Sequence, residues 1–150
     1  MESADGRLEI EHVDINVPEE VLALHERLGA RRFDLLLVNA GVANRPEETS
    51  ADVSTEEFTR LMVTNALSPM RVIDALADLV TPDGTVAIMS SGQGSVANNE
   101  RGGFEIYRAS KSALNQLMRS YAARHRDDPA RCSCWRPAGS GPNSAVRTPA

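Results

Sequence analysis

Tyr107 and Lys111 stand four residues apart in Tyr107-Arg108-Ala109-Ser110-Lys111, at the head of a helical stretch. A phenol and an ammonium therefore fall on adjacent turns of one helix face. A phenol with a pKa of about 10 is a poor acid–base catalyst at neutral pH, and a neighbouring positive charge stabilises its anion. The chain holds 15 arginines and this single lysine, so its one compact ammonium stands where a point charge beside the phenol is wanted. Ser91 precedes Tyr107 by sixteen residues, and a loop that folds it back would let its hydroxyl share a carbonyl oxygen with the phenol. The pair suits protonation of a carbonyl as hydride arrives, or the reverse, better than acyl transfer. His12, His25 and His125 lie elsewhere, and none is placed to activate Ser91.

These groups need elements to carry them. Leu8 to Ile15 alternates apolar and polar side chains, the period of a strand with one buried face. Pro18-Glu19-Glu20 opens a helix that carries Val21, Leu24, His25 and Leu28 and stops at Gly29. Phe33 to Val38 is a short continuous apolar run, as in a parallel strand covered on both faces. It ends in Asn39-Ala40-Gly41. Ser54-Thr55-Glu56-Glu57 has capping-box spacing before Phe58, Leu61, Met62 and Asn65, and Ser68-Pro69 renews the helix through Val72, Ile73, Leu76, Leu79 and Val80. Thr81-Pro82-Asp83-Gly84 predicts a turn into a strand over Thr85 to Ser90. A last helix is predicted from Glu105 to about Arg126.

Strands separated by helices predict an α/β fold with a Rossmann-like parallel sheet, and such sheets bind ligands beyond the carboxyl ends of their strands. Here those ends read Asp14-Ile15, Asn39-Ala40-Gly41 and Ser90-Ser91-Gly92. The length, 150 residues, suits one domain with a real core. A net charge of -5 argues against a nucleic-acid surface. No apolar run approaches the ~18 residues of a membrane span, and the first residues do not read as a signal peptide, so the expected location is the cytoplasm. Cys132 and Cys134 form neither a disulfide framework nor, without a second Cys/His pair, a zinc site.

Over about residues 7 to 128 the chain resembles the short-chain dehydrogenase/reductases, and within them the C-factor-like branch of bacterial carbonyl reductases. Val38-Asn39-Ala40-Gly41 is similar to the family's Asn-Ala-Gly motif, Met89-Ser90-Ser91 with Gly94-Ser95 to its serine strand, and Tyr107 to Lys111 to its Tyr-x-x-x-Lys motif. The resemblance implies NAD or NADP as cofactor and a small carbonyl or alcohol substrate. It makes Tyr107 the general acid/base, Lys111 its activator and the holder of the nicotinamide ribose, and Ser91 the group that polarises the carbonyl. Asn65 falls where the family keeps an asparagine that holds a water of the proton relay. Asp14 and Ile15 correspond to the pair flanking adenine, and Asn39, Ala40 and Gly41 to the loop along the cofactor. A homodimer through the last two helical segments is implied as well.

The chain departs from the family at both ends. The first βαβ unit, with its Gly-rich phosphate turn, has no counterpart here, so the strand expected over Leu8 to Ile15 should be unpaired or displaced. From Pro129 the composition changes: residues 1–128 are expected to hold the partial domain, and 129–150 to be disordered, with Cys132 and Cys134 as accidental thiols. Written in GC-rich codons and shifted by one nucleotide, Cys132 to Thr148 reads Leu-Leu-Val-Leu-Ala-Pro-Gly-Trp-Val-Arg-Thr-Glu-Leu-Gly-Gly-Pro-Asp, which opens with an apolar strand and the family's usual continuation and suggests a frameshift near Arg131. Two alternatives to an active oxidoreductase stay open: an inactive remnant that at most associates through its last helices, and a fragment completed by a separately encoded N-terminal half.

Overall fold

The computed structural model describes residues 8–128 and 130–135. Helix α1, Pro18–Leu28, starts with proline in its first turn and Glu19 and Glu20 at its positive end. It ends at Gly29, whose φ of 56 lets its N–H close on the His25 carbonyl. Strand β1, Phe33–Val38, follows. Helix α2, Thr55–Met62, is capped as its sequence predicts, the Ser54 hydroxyl accepting from the Glu57 N–H at 3.2 Å. It runs without a break through a π turn, Val63–Leu67, into α3, Ser68–Leu76. Pro69 lies in the first turn of α3; without an N–H it cannot donate to the carbonyl four residues back, and the ladder widens there. Strand β2, Val80–Met89, helix α4, Glu105–Arg124, and strand β3, Arg131–Trp135, complete the described chain.

The three strands form one parallel sheet in the order β1-β2-β3, the α/β architecture expected. Val72, Ile73 and Leu76 of α3 and Leu114, Met118 and Tyr121 of α4 form one core with Val38, Val86 and Ile88 of the sheet. Burial of such side chains is worth about 1.5–3 kcal/mol each, and this core fixes both helices over the sheet.

Three expectations are corrected. Leu8 to Ile15 forms no strand. It runs along α1, held by the Arg27–Glu11 and Arg31–Glu9 ion pairs and by Arg27 Nη2 donating to the His12 carbonyl at 3.3 Å. Its alternation is used differently: Val13 and Ile15 pack on the core, while Leu8 and Ile10 stay exposed. A strand needs a neighbour, and the only strand paired to β1 among the described residues is β2.

Thr81-Pro82-Asp83-Gly84 does not end an element but lies within β2. Phe33 pairs with Val80 and Leu35 with Thr85, so these residues arch out as a bulge between two paired positions. The turn chemistry is present, absorbed as an irregularity in the ladder. Residues 131–135, expected to be disordered, pair with β2 from Thr85↔Arg131 to Met89↔Trp135. The exposed backbone edge of β2 specifies a strand there despite the polar sequence. Pro129 and the tail beyond Trp135, with its frameshift expectation, lie outside the described residues. No described helix is long and apolar enough to cross a membrane.

Candidate active site

Val38 and Ile88 are partners in the sheet, so the loops that leave β1 and β2 emerge side by side. Across their mouth lies the first half of α4, and Lys111, Tyr107, Asn65 and Ser110 gather there. Lys111 is buried, at 4% exposure. Its Nζ donates to the Met89 carbonyl at 3.0 Å, where β2 ends. Burial pushes the Lys111 pKa below the usual lysine range. Its Nζ lies 5.9 Å from the centre of the Tyr107 ring. The spacing read from the sequence thus delivers a phenol and an ammonium to one place.

Asn65 arrives from the π turn and is completely buried. Its Oδ1 accepts from the Val42 N–H at 2.8 Å, and its Nδ2 donates to the Val42 carbonyl at 2.7 Å and to Ser110 Oγ at 2.9 Å. Both amide hydrogens are therefore engaged within the protein. Asn65 staples the loop after β1 to α4, and the water-holding expectation has only the remaining lone pair of its Oδ1 to draw on within the side chain. Ser110 completes the staple by donating to the Tyr107 carbonyl at 2.8 Å.

Gly41 explains why that loop ends in glycine. A Cβ there would stand 3.3 Å from Asn65 Oδ1 and 3.4 Å from Lys111 Nζ, so the missing side chain keeps the approach to both groups open. Asn39 and Ala40 beside it are exposed. Ser91 sits at the head of a short 3-10 turn, Gly92–Gly94, its Oγ accepting from the Gln93 N–H at 3.2 Å. That bond takes a lone pair and leaves the O–H proton to be donated outward. Behind it, the Gly94 carbonyl accepts from Ser112 Oγ at 3.0 Å and from Asn115 Nδ2 at 3.3 Å, and Ser90 Oγ donates to Asn115 Oδ1. The Ser91 turn is thus docked on α4.

Asp14 and Ile15 are not brought to this cluster by any hydrogen bond among the described residues. The Asp14 N–H donates to Glu20 Oε2 at 2.7 Å, and its carboxylate accepts from the Asn16 N–H. Ser68 Oγ donates to Asn16 Oδ1 at 2.9 Å, tying this loop to α3.

Sequence reasoning passed over Asn44 and Asn115, and it quoted Ser90, Gly94 and Ser110 only within motifs, with no role of their own. Ser110 and Asn115 carried a signal: they flank Lys111 at one and four positions, on the face of α4 that meets both strand-end loops. Asn44 had none, and the motif around Gly94 did not tell of its contact with α4, since contacts across 63 and 21 residues depend on the folded arrangement.

A family model described as Enoyl-(Acyl carrier protein) reductase matches residues 2–138. The chain belongs to the short-chain dehydrogenase/reductases. Among solved structures, a putative short-chain alcohol dehydrogenase from Burkholderia multivorans shares 54% identity at a TM-score of 0.86, over 90% of this chain and 62% of that one. A putative short-chain dehydrogenase/reductase from the same organism, with bound NADP, shares 56% at 0.82, over 85% and 56%. The C-signal protein of Myxococcus xanthus is 38% identical over 89 residues, 58% of this chain and 53% of that one. Against the curated family members it matches, the chain spans about half their length or less.

Proposed function

We propose that this chain carries the catalytic half of an NAD(P)-dependent oxidoreductase that moves hydride between a nicotinamide and a small carbonyl or alcohol. The carrying observation is the convergence of Lys111, Asn65 and Gly41 beside Tyr107 at the carboxyl ends of β1 and β2. The cradle at Gly41, which a Cβ would fill, and a buried ammonium with one described hydrogen bond out of three possible fit the ribose and nicotinamide end of such a cofactor. The Burkholderia multivorans relative with bound NADP supports the same choice.

When bound, the cofactor supplies or accepts the hydride. The protein's part is the proton and the charge. Tyr107 would give its phenol proton to the carbonyl oxygen on reduction and take it back on oxidation. Ser91, its lone pair held by the Gln93 N–H, would donate to the same oxygen and stabilise the charge that develops there. Lys111 would favour the phenolate that Tyr107 leaves behind, and would reach the ribose from its berth on the Met89 carbonyl. Asn39, Ala40 and Gly41 would line the cofactor, with Asp14 and Ile15 toward its adenine. A homodimer through α3 and α4 belongs to the same reading, with Leu117 exposed on α4 as an apolar contact.

The test is a fluorescence titration of the purified chain with NADPH and NADH. Saturable binding that Lys111→Ala abolishes and Tyr107→Phe preserves is expected. No binding up to about 1 mM would leave these motifs as inherited scaffolding.

A further inference from the structure

Helix α4 begins in an unusual way. Gly102, Gly103 and Phe104 all have positive φ, of 67, 71 and 50. The residue at the N-cap is therefore an aromatic, whose side chain makes no capping hydrogen bond. The first N–H groups of a helix need acceptors from outside it. One comes from far away in sequence: the Tyr107 N–H, third in the helix, donates to Asn44 Oδ1 at 3.2 Å. A capping oxygen normally serves the second or third N–H of its own helix, so Asn44 does this work from the loop that follows β1.

Around it, the same loop grips the same turn. The Phe104 N–H donates to the Pro46 carbonyl at 2.9 Å, and Glu105 Oε2 accepts from the Ser50 N–H at 2.9 Å. Arg108 closes the turn from the other side, donating to the Gly103 and Gly102 carbonyls at 2.7 and 3.0 Å. Asn44 itself is buried, at 7% exposure, and its Nδ2 donates to the Arg45 carbonyl at 3.0 Å, which fixes the direction of its oxygen.

We infer that Asn44 is a positioning residue: it caps α4 from the loop after β1, so that the phenol of Tyr107 and the loop of Asn39, Ala40 and Gly41 form one rigid unit. The loop is then clamped at two points, by Asn65 at Val42 and by Tyr107 at Asn44. A cofactor that settles against Gly41 presses on the segment that sets the height of Tyr107. This role rests on the reading of Tyr107 as the proton donor, but the cap can be measured without turnover.

The measurement is amide hydrogen exchange of the chain as it stands. Asn44→Ala is expected to speed exchange at the Tyr107 amide by about five-fold or more, the factor equivalent to a typical cap of about 1 kcal/mol, and to leave Leu114 and Met118 amides unchanged. Asn44→Asp keeps the acceptor, and its charge is favoured at a helix N-terminus, but it exchanges the donor to the Arg45 carbonyl for a second oxygen and brings a carboxylate near Glu48; it is expected to return protection at Tyr107 above that of the Ala variant. An unchanged Tyr107 amide in Asn44→Ala, or an Asp variant as fast as the Ala variant, would overturn the inference and leave Asn44 a support for its own loop. Where Asn44→Ala does not fold, the Asp variant decides alone: native protection at Tyr107 upholds the cap, and lost protection rejects it. Failure of the cofactor titration would overturn the oxidoreductase reading without touching this result.

Discussion

Gly94 gives the sharpest test of how the Ser91 turn is held. A Cβ at this position would lie 2.8 Å from Asn115 Nδ2, 2.9 Å from the Lys111 carbonyl carbon and 3.0 Å from Lys111 Cβ. The first contact can be relieved by a side-chain rotation, but the other two belong to the frame of α4, so the turn must lift off the helix. Overpacking of this kind costs about 1–3 kcal/mol. Unfolding entropy near 2.1 cal/mol/K per residue gives about 0.3 kcal/mol/K for 150 residues, so Gly94→Ala should lower the melting temperature by about 3–10 °C. The lift also stretches the Ser112 and Asn115 bonds to the Gly94 carbonyl and moves Ser91 away from Tyr107. Thermal unfolding followed by circular dichroism measures the loss, and Gly102→Ala serves as comparison. A Cβ at Gly102 meets nothing within 4 Å, but its φ of 67 leaves a backbone cost of about 1–2 kcal/mol. A Gly94→Ala protein that melts within about 1 °C of the parent would refute the claim that close backbone approach fixes the Ser91 turn.

Other outcomes follow from the same geometry. Asn65→Ala strips partners from the Val42 N–H and carbonyl and from Ser110 Oγ at once, and should cost about 3 kcal/mol in urea unfolding; a loss below about 1 kcal/mol would mean that water replaces the staple. Lys111→Met should raise stability by about 1–2 kcal/mol at neutral pH while abolishing NAD(P)H binding, because a buried charge is exchanged for an apolar chain of similar length. Burial lowers the folded-state pKa of Lys111 below 10.5, so between the two values the unfolded chain binds more protons and stability rises with pH. The advantage of Lys111→Met should therefore be largest below the lowered pKa and shrink as pH climbs through it, and denaturation curves showing the opposite slope would contradict the buried ammonium. Gly41→Ala sets a methyl group 3.3 Å from Asn65 Oδ1 and 3.4 Å from Lys111 Nζ, both held by hydrogen bonds, so it should cost about 1 kcal/mol in stability and weaken NADPH binding at least ten-fold by the titration described above.

How much of this was legible depended on whether the signal was local. The start of α1 at Pro18 and its stop at Gly29, the Ser54 cap, and β1 from Phe33 to Val38 are each written in a few adjacent residues, and the structure places them where those residues predict. The start of α4 at Glu105 was read correctly, but its end lies at Arg124 and not near Arg126. Leu8 to Ile15 shows the limit. Alternation states which side chains would share a face, but a strand exists only with a partner to bond, and none among the described residues reaches this segment. Residues 131–135 are the converse, since their polar composition argued for disorder while the edge of β2 offered five positions to pair with. In the site, the phenol–ammonium pair followed from helix periodicity. The Asn44 cap and the Gly94 contact join positions far apart in sequence, and only the packed sheet and helices bring them together.

The position of β1 has a consequence for handling the protein. Among the described residues its only neighbour is β2, and Leu35 and Leu37, at 47% and 37% exposure, turn their side chains to solvent from the face away from α3. A row of backbone donors and acceptors beside exposed leucines is a template for another strand, and when residues 1–150 are expressed by themselves the nearest supply of strands is other molecules of the same chain. Losses on concentration should then be set by encounter rate and not by unfolding. They should scale with protein concentration at temperatures where the fold is intact, and a lysine in place of Leu35 should suppress them without changing the melt.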